Sequence, residues 1–552
     1  MSDTLANELN AFSKQLRKLT PKEQVEAIVR HNQSMALVQS LPPEELLLTI
    51  NQVGLDDSLE LIELLSGDQV KTIFDLDVWT HDVIDVESLK KWLNALNAAN
   101  PESALSQIHE LDIEFLTIML RDSADIFDLI ENDDPHFESD LILYTSDRHY
   151  LIAFKTDDGH EVQSHFLKAL IVDMMGRDFL SAIRLIESAR FETESLLHED
   201  ALRLRDGRLQ DLGFLPHFES KSILRYVDVD KTKQIDESPS MGEATTSAIH
   251  RHYDLPSLSN LPFLREALLG MSHTDLENNW NYIVTVANRV HMAQTGKYSD
   301  AAAINKTAKY ALDLIEMALS YLSRGHLASS KKVFLSHTPQ KLFIVGHSLI
   351  LRLQRDFIKL RRHPAHILAS TSLKRLDSPL LEVINGLLQP EPMFFAGLTD
   401  PKRMDYRVFE NVRDVAHVSS AVAEVAFRSA LLGPKGLGFK ENESLLANSQ
   451  ASFGILLATY FVHLIISGEG RFSPLTAKDF QQFFDGLEKY EFGRRVSNSD
   501  KNKCLEHIKA IASSQEKASA YAKVVFGFIE NELGQLTDTH PDPKFITALI
   551  VI

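Results

Sequence analysis

Along most of the chain apolar residues recur at the three- and four-residue spacing of an amphipathic helix, and few stretches show the two-residue alternation of a strand. From residue 20 to 130 the pattern predicts short helices separated by turn signals. In LPPEELLLTI, Pro43 and Glu44 fall in a first helical turn, where a missing N–H costs nothing and a carboxylate suits the helix dipole. Asn100-Pro101-Glu102 repeats the device, and the apolar residues that follow keep step: Leu47, Ile50 and Val53 after the first, Leu105, Ile108 and Leu111 after the second. Two degenerate copies 58 residues apart predict a superhelical repeat array whose units bury their stripes against one another.

The stretch SDLILYTSDRHYLIAFK, 139–155, breaks this pattern with two β-rich runs around a Ser-Asp turn, a hairpin that needs helices or another strand to support it. Helical periodicity resumes near Val162 and continues to Arg208. Residues 229–262 are poor in large apolar side chains and rich in proline, as in a linker or long loop. Beyond them, helices are predicted at 262–295, 301–324, 339–362, 404–432, 449–467, 474–490 and 500–535, and the apolar ending DPKFITALIVI should dock on the body of the protein. The expected fold is mainly α: a multi-domain helical protein with an N-terminal superhelical repeat array and one small β-hairpin. Its expected domains are an acidic helical-repeat domain at 1–135, a hairpin with helices at 136–228, a linker at 229–262 and an all-helical domain at 263–552.

A chain of 552 residues exceeds one ordinary hydrophobic core, and its 44% hydrophobic and 24% charged composition is that of a globular protein. Cys504 is the single cysteine, so no intramolecular disulfide forms, and a reducing compartment, the cytoplasm, is expected. The N-terminus alternates polar and apolar residues, unlike a secretory signal or anchor. The most apolar window, Phe453 to Ser467, is shorter than the roughly 20 residues a bilayer requires and reads as a buried helix, so no membrane insertion is expected.

Charge changes the picture. Residues 36–135 hold 22 acids against 4 bases, a net of −18, whereas 324–375 hold 11 bases against one acid, Asp356, a net of +10. The acidic segment disfavours nucleic acid and allows basic protein surfaces or cations. In the basic segment Arg352, Arg355, Lys359 and Arg362 step by three, four and three, which aligns them on one helix face as binding candidates for phosphate, nucleic acid or an acidic protein segment.

Other constellations carry less chemistry. Gly346-His347-Ser348 has Ile350 where the second glycine of a nucleophile elbow belongs, and it sits inside a continuous helical pattern. The loop with Gly433, Lys435, Gly436 and Gly438 lacks the Gly-Lys-Ser/Thr order of a phosphate loop and reads as a helix-ending turn. The pairs His363/His366 and His250/His252 each supply at most half a zinc site. Asp75, Asp77, Asp82 and Asp85 gather hard oxygen donors suited to magnesium or calcium, without the order of an EF-hand, and N-caps or solvated faces account for them as well. Weak divalent-cation binding is the most this cluster predicts; no metal site, catalytic residue or cofactor is assigned.

The N-terminal pattern of Pro-Glu starts and acids resembles the cytoplasmic N-terminal domain of the MgtE magnesium-transporter family, over about a fifth of the chain. That resemblance implies a related helical fold, but not transport, since the membrane helices are absent. Across most of the chain, IFDLDVW ending at Trp79, the hairpin at 141–154, RLQDLGF from Arg208, VGHSLILRLQR from Val345 and DPKF from Asp542 resemble a bacterial family of cytoplasmic proteins of unknown function. No functional residue follows from that resemblance. The expected function is a non-enzymatic interaction or regulatory scaffold with a protein partner. The alternatives are an enzyme whose site assembles between distant helices, and a nucleic-acid or phosphate binder using the basic face.

Overall fold

The structure is a computed structural model that describes residues 19–157, 160–212, 214–231, 258–295, 297, 301–439, 451–490, 493–536 and 540–552. Most of the expected linker, with His250 and His252, lies outside the described residues. The chain forms two compact units, Met1–Val227 with Lys231–Val345, and Gly346–Ile552 with Asp228–Asp230. Both are mainly helical.

The first unit opens with α1 (Pro21–Val29), α2 (Ser34–Ser40), α3 (Pro43–Val53), α4 (Leu59–Glu63) and α5 (Gly67–Asp77). Reciprocal capping boxes start two of them, Thr20 with Glu23 at α1 and Ser66 with Gln69 at α5. A two-stranded turn follows, β1 (Trp79–Thr80) against β2 (Val83–Ile84), then α6 (Val86–Ala99), α7 (Pro101–Ile108) and α8 (Ile113–Ser123). Both Pro-Glu helices form where predicted, with Pro43 and Pro101 in the first turn. What recurs beyond them is a buried glutamine that closes the end of an earlier helix. Gln69 Nε2 donates to the carbonyls of Val38 (2.8 Å) and Leu41 (2.9 Å) after α2. Gln107 Nε2 donates to those of Ile62 (3.1 Å) and Leu65 (2.7 Å) after α4. Each supplies a donor to carbonyls at a helix C-terminus, where the regular helical ladder has run out.

The hairpin forms as β4 (Ile142–Tyr144) and β5 (Tyr150–Phe154), and a third strand, β3 (Ala124–Asp128), pairs on the other side of β5 to give the order β3-β5-β4, all antiparallel. β5 is buried throughout. α9 (Glu161–Arg177), α10 (Phe179–Phe191) and α11 (Glu194–Asp211) follow; α8 packs against both α10 and α11. The unit continues with α12 (His217–Lys221), α13 (Pro262–Leu268), α14 (His273–Thr295), α15 (Ala301–Leu322) and α16 (Ser330–Leu335). Glu316 of α15 caps α13, accepting from the N–H groups of Phe263 (3.0 Å) and Leu264 (2.8 Å). The helix expected over 262–295 is two helices, because Gly270 adopts φ +71° between them, in the region that favours glycine.

α17 (Pro339–Arg362) runs on from the first unit into the second, which then has α18 (Leu380–Leu387), the pair β6 (Phe394–Phe395) and β7 (Tyr406–Arg407), and α19 (Val412–Leu432). The helix expected from 404 therefore starts only at Val412, since Tyr406 and Arg407 are drawn into the strand pair and Asn411 caps the helix with its side chain. α20 (Phe453–Ser467) is buried over most of its surface, as its apolar sequence requires. α21 (Ala477–Asp485) ends before β8 (Glu488–Tyr490), which pairs with β9 (Gly493–Arg495), and the stretch 500–535 divides into α22 (Asn498–Ile511) and α23 (Gln515–Leu533), the second capped by Ser514. The apolar C-terminus docks as expected: Val551 bridges Leu475, and Ile550 N–H donates to Thr459 Oγ1 at 3.0 Å. By length and composition α19 is the one helix among the described residues that could cross a membrane. In this unit its Asp414 pairs with Arg407 and its Arg428 with Asp377.

Candidate functional site

The end of α11 is rich in arginine, and Arg205 is only 2% exposed. Its guanidinium lies over the Trp79 ring (5.2 Å to the centroid) and donates to the carbonyls of Asp75 (3.0 Å) and His81 (3.1 Å). His81 has φ +59°, a turn conformation that this bond helps to hold. One turn on, Arg208 grips Asp75 with two nitrogens (2.7 and 3.0 Å) and reaches Asp112 at 2.6 Å with the third. Burial pushes the Asp75 carboxyl above its ordinary value, against the pull of Arg208 and Arg205. For Arg208, burial opposes the charge, but Asp75 and Asp112 outweigh it and hold the guanidinium above its ordinary value.

The other acids of the cluster go elsewhere. Asp77 accepts from Trp92 Nε1 at 2.8 Å, and burial raises its pKa. Asp85 caps α6 through Ser88 N–H and pairs with Lys297, whose hydrogen bond is the main reason its pKa falls to about 2. Asp82 is exposed. Three of the four carboxylates thus serve separate local roles and the fourth is solvated, and no group of three or more metal-ligating side chains occurs among the described residues.

The second unit has a comparable knot. Asp377 accepts from Arg428 (2.9 Å) and from the N–H of Gly454 (2.9 Å), while Arg428 also donates to Glu424 (2.7 Å) and lies 4.2 Å from the centroid of Tyr521. Burial raises the Tyr521 hydroxyl pKa well above its ordinary value. In both knots charge-assisted bonds hold two or three elements together, so these buried ionisable groups are spent on architecture. Sequence reading missed both, because the partners lie far apart: Arg208 is 133 residues from Asp75, and Arg428 is 51 from Asp377.

Ser348 is fully buried in the middle of α17, so it stands on no strand-to-helix turn. The glycine-rich loop closes the end of α19: Leu437 N–H donates to Leu431 O (2.7 Å) and Gly438 N–H to Gly433 O (3.0 Å). His363 and His366 stand beyond the end of α17 with ring centroids 5.4 Å apart.

The basic face is built by α17 itself. Leu349, Leu353 and Phe357 are buried, which turns Arg355, Lys359 and Arg362 outward, all three exposed. Arg352 is half-exposed and pairs with Asp230 (3.3 Å); Asp356 lies within ion-pair distance of both Arg352 (3.9 Å) and Lys359 (3.5 Å). Lys359, Arg361 and Arg362 also occupy the last turn, where cations complement the helix dipole. The face offers several guanidinium and ammonium donors to an anionic surface.

These features define a mainly helical protein whose buried ion pairs are structural and whose α17 carries several outward cations. The chain belongs to the Family of unknown function (DUF6178), whose model matches residues 3–552. No curated protein and no solved structure matches it.

Proposed function

We propose that this chain is a non-enzymatic interaction or regulatory scaffold of the cytoplasm that docks an acidic segment of a protein partner on the basic face of α17. The supporting observation is that Arg355, Lys359 and Arg362 are exposed on a helix whose apolar stripe is buried, with Asp356 the single acid in 324–375. A net charge of −20 over the whole chain confines attraction for any anion to the local face, which suits a short acidic segment better than an extended nucleic acid. The N-terminal array, with its likeness to the MgtE N-terminal domain, adds an acidic surface that suits a basic segment or weakly held divalent cations. The test is fluorescence anisotropy with a labelled polyglutamate peptide and an oligothymidylate of similar charge. Preferential binding of the peptide, weakened by salt and lost in Arg355→Glu/Lys359→Glu/Arg362→Glu, supports the proposal. Preference for the oligonucleotide, or binding unchanged by the reversal, overturns it.

A further inference from the structure

A cavity of about 330 Å³ opens in the first unit beside the β1–β2 turn, between α6, α8 and the start of α11. One wall is aliphatic, formed by Val83, Val86, Leu89 and Ile118. Leu89 is buried, but Val83 and Val86 keep 63% and 46% of their surface exposed, an apolar area that solvent pays for unless a ligand covers it. The rest of the lining includes charged side chains, and they are held in an unusual way.

Arg121 is one of only four bases in the strongly acidic stretch 36–135, yet it forms no ion pair among the described residues. One terminal nitrogen is fixed by backbone carbonyls at the end of α10, those of Ala189 (3.5 Å) and Glu192, which leaves the rest of the guanidinium to the cavity. Lys155 is held in the same fashion, its Nζ donating to the carbonyl of Asp122 at 2.7 Å. The carboxylate of Asp122 stands 3.4 Å from His160 instead. On α11, the exposed side chain of Glu194 and the half-buried one of His198 sit one turn apart at the cavity and make no hydrogen bond among the described residues. Two cations anchored by carbonyls, an unengaged carboxylate and an imidazole therefore share one lining with an aliphatic wall.

A ligand that satisfies all of them carries both signs and an apolar body. A simple fatty acid would meet Arg121 and Lys155 but leave Glu194 facing its anionic end; an alkylamine would reverse the mismatch. At about 30 Å³ per small group the space admits roughly eleven non-hydrogen atoms. We infer that this cavity binds a free hydrophobic α-amino acid, its carboxylate on Arg121 and Lys155, its ammonium on Glu194 and its side chain against Val83, Val86 and Ile118. This site is separate from the macromolecular docking proposed for α17.

The experiment is isothermal titration of the full chain with leucine, phenylalanine, 4-methylpentanoate and 3-methylbutylamine. The two amino acids should bind in the micromolar to low millimolar range, and each one-sided analogue should bind at least about tenfold more weakly. Arg121→Met removes the bonds to Ala189 and Glu192 and Lys155→Met the bond to Asp122, so both can cost stability; Glu194→Gln, whose carboxylate holds no such bond, carries the decision, with Lys155→Met read beside it. Each should weaken leucine or phenylalanine binding by about tenfold, and Glu194→Gln should do so while leaving the thermal midpoint of the free protein unchanged. Four results overturn the inference: no heat at about 10 mM amino acid, an analogue binding as tightly as the amino acids, either variant binding like the wild type, or a lowered midpoint that accounts for the loss.

Discussion

Replacing Arg208 by methionine removes both charged hydrogen bonds to Asp75 and the contact with Asp112, while keeping much of the side chain's volume. Asp75 is only 4% exposed, so its carboxylate would remain buried beside Arg205, which donates to the Asp75 carbonyl and not to its side chain. Stranding one partner of a buried pair typically costs about 3–5 kcal/mol. Arg208 keeps 29% of its side-chain exposure, which places the expected loss near the lower end, about 3 kcal/mol. Protonation sets a ceiling: from an ordinary value of 3.8, neutralising the carboxyl costs about 4 kcal/mol near pH 7 and about 2 kcal/mol near pH 5. Because burial raises the folded-state pKa of Asp75, its linked stability is greatest below the unfolded value and declines as pH rises through the folded one. Loss of Arg208 raises that pKa further, so the variant's deficit must shrink as the solution is acidified. All three tryptophans, Trp79, Trp92 and Trp280, lie in the first unit, so urea unfolding followed by tryptophan fluorescence reports on this unit. Arg208→Met/Asp75→Asn should recover most of the loss. A deficit below about 1 kcal/mol, equal deficits near pH 7 and pH 5, or a double variant no more stable than the single would refute the reasoning.

Gln107→Leu should destabilise the first unit by about 1–3 kcal/mol, because it takes the side-chain donor from the Leu65 carbonyl and the second donor from that of Ile62; Gln69→Leu should cost a similar amount, and losses under about 0.5 kcal/mol in the same urea assay would deny the glutamines this role. Burial lowers the pKa of His347 from 6.5 to about 4, so the stability linked to its neutral form is complete above pH 6.5 and declines as pH falls toward 4. Replacing it by glutamine should remove up to about 3 kcal/mol of that acid sensitivity, read from urea midpoints by circular dichroism across this window, and an unchanged pH profile would be inconsistent with a buried neutral imidazole.

Legibility in the sequence followed the range of the forces involved. Pro43 and Pro101 announced their helices, and the buried α20 followed from unbroken apolar composition, because propensity and burial act within a few residues. The hairpin at 142–154 was likewise readable, but β3 was not: Ala124–Asp128 follows α8 directly, and only pairing with β5 makes it a strand. The division of 500–535 by Ser514 and the late start of α19 at Val412 were decided by caps and strand pairing that periodicity does not encode. On the candidate site, the helix that carries Arg352, Arg355, Lys359 and Arg362 was legible, since helical spacing is a local property. The burial of Arg205 was not legible, because its partners, the carbonyls of Asp75 and His81, are more than a hundred residues away in sequence. The amino-acid cavity was illegible for the same reason, since Arg121, Lys155 and Glu194 meet only after folding.

The central claim is that α17 recognises a partner by charge. Its most direct test is a reciprocal exchange in which the wild-type chain and Arg355→Glu/Lys359→Glu/Arg362→Glu are each titrated, at low and at physiological salt, with labelled polyglutamate and labelled polylysine. The wild type should bind polyglutamate with an affinity that falls as salt rises, and the reversed chain should lose that binding while gaining affinity for polylysine. Equal binding of polyglutamate by both chains would contradict the claim and leave the cations of α17 with no role beyond complementing their own helix end.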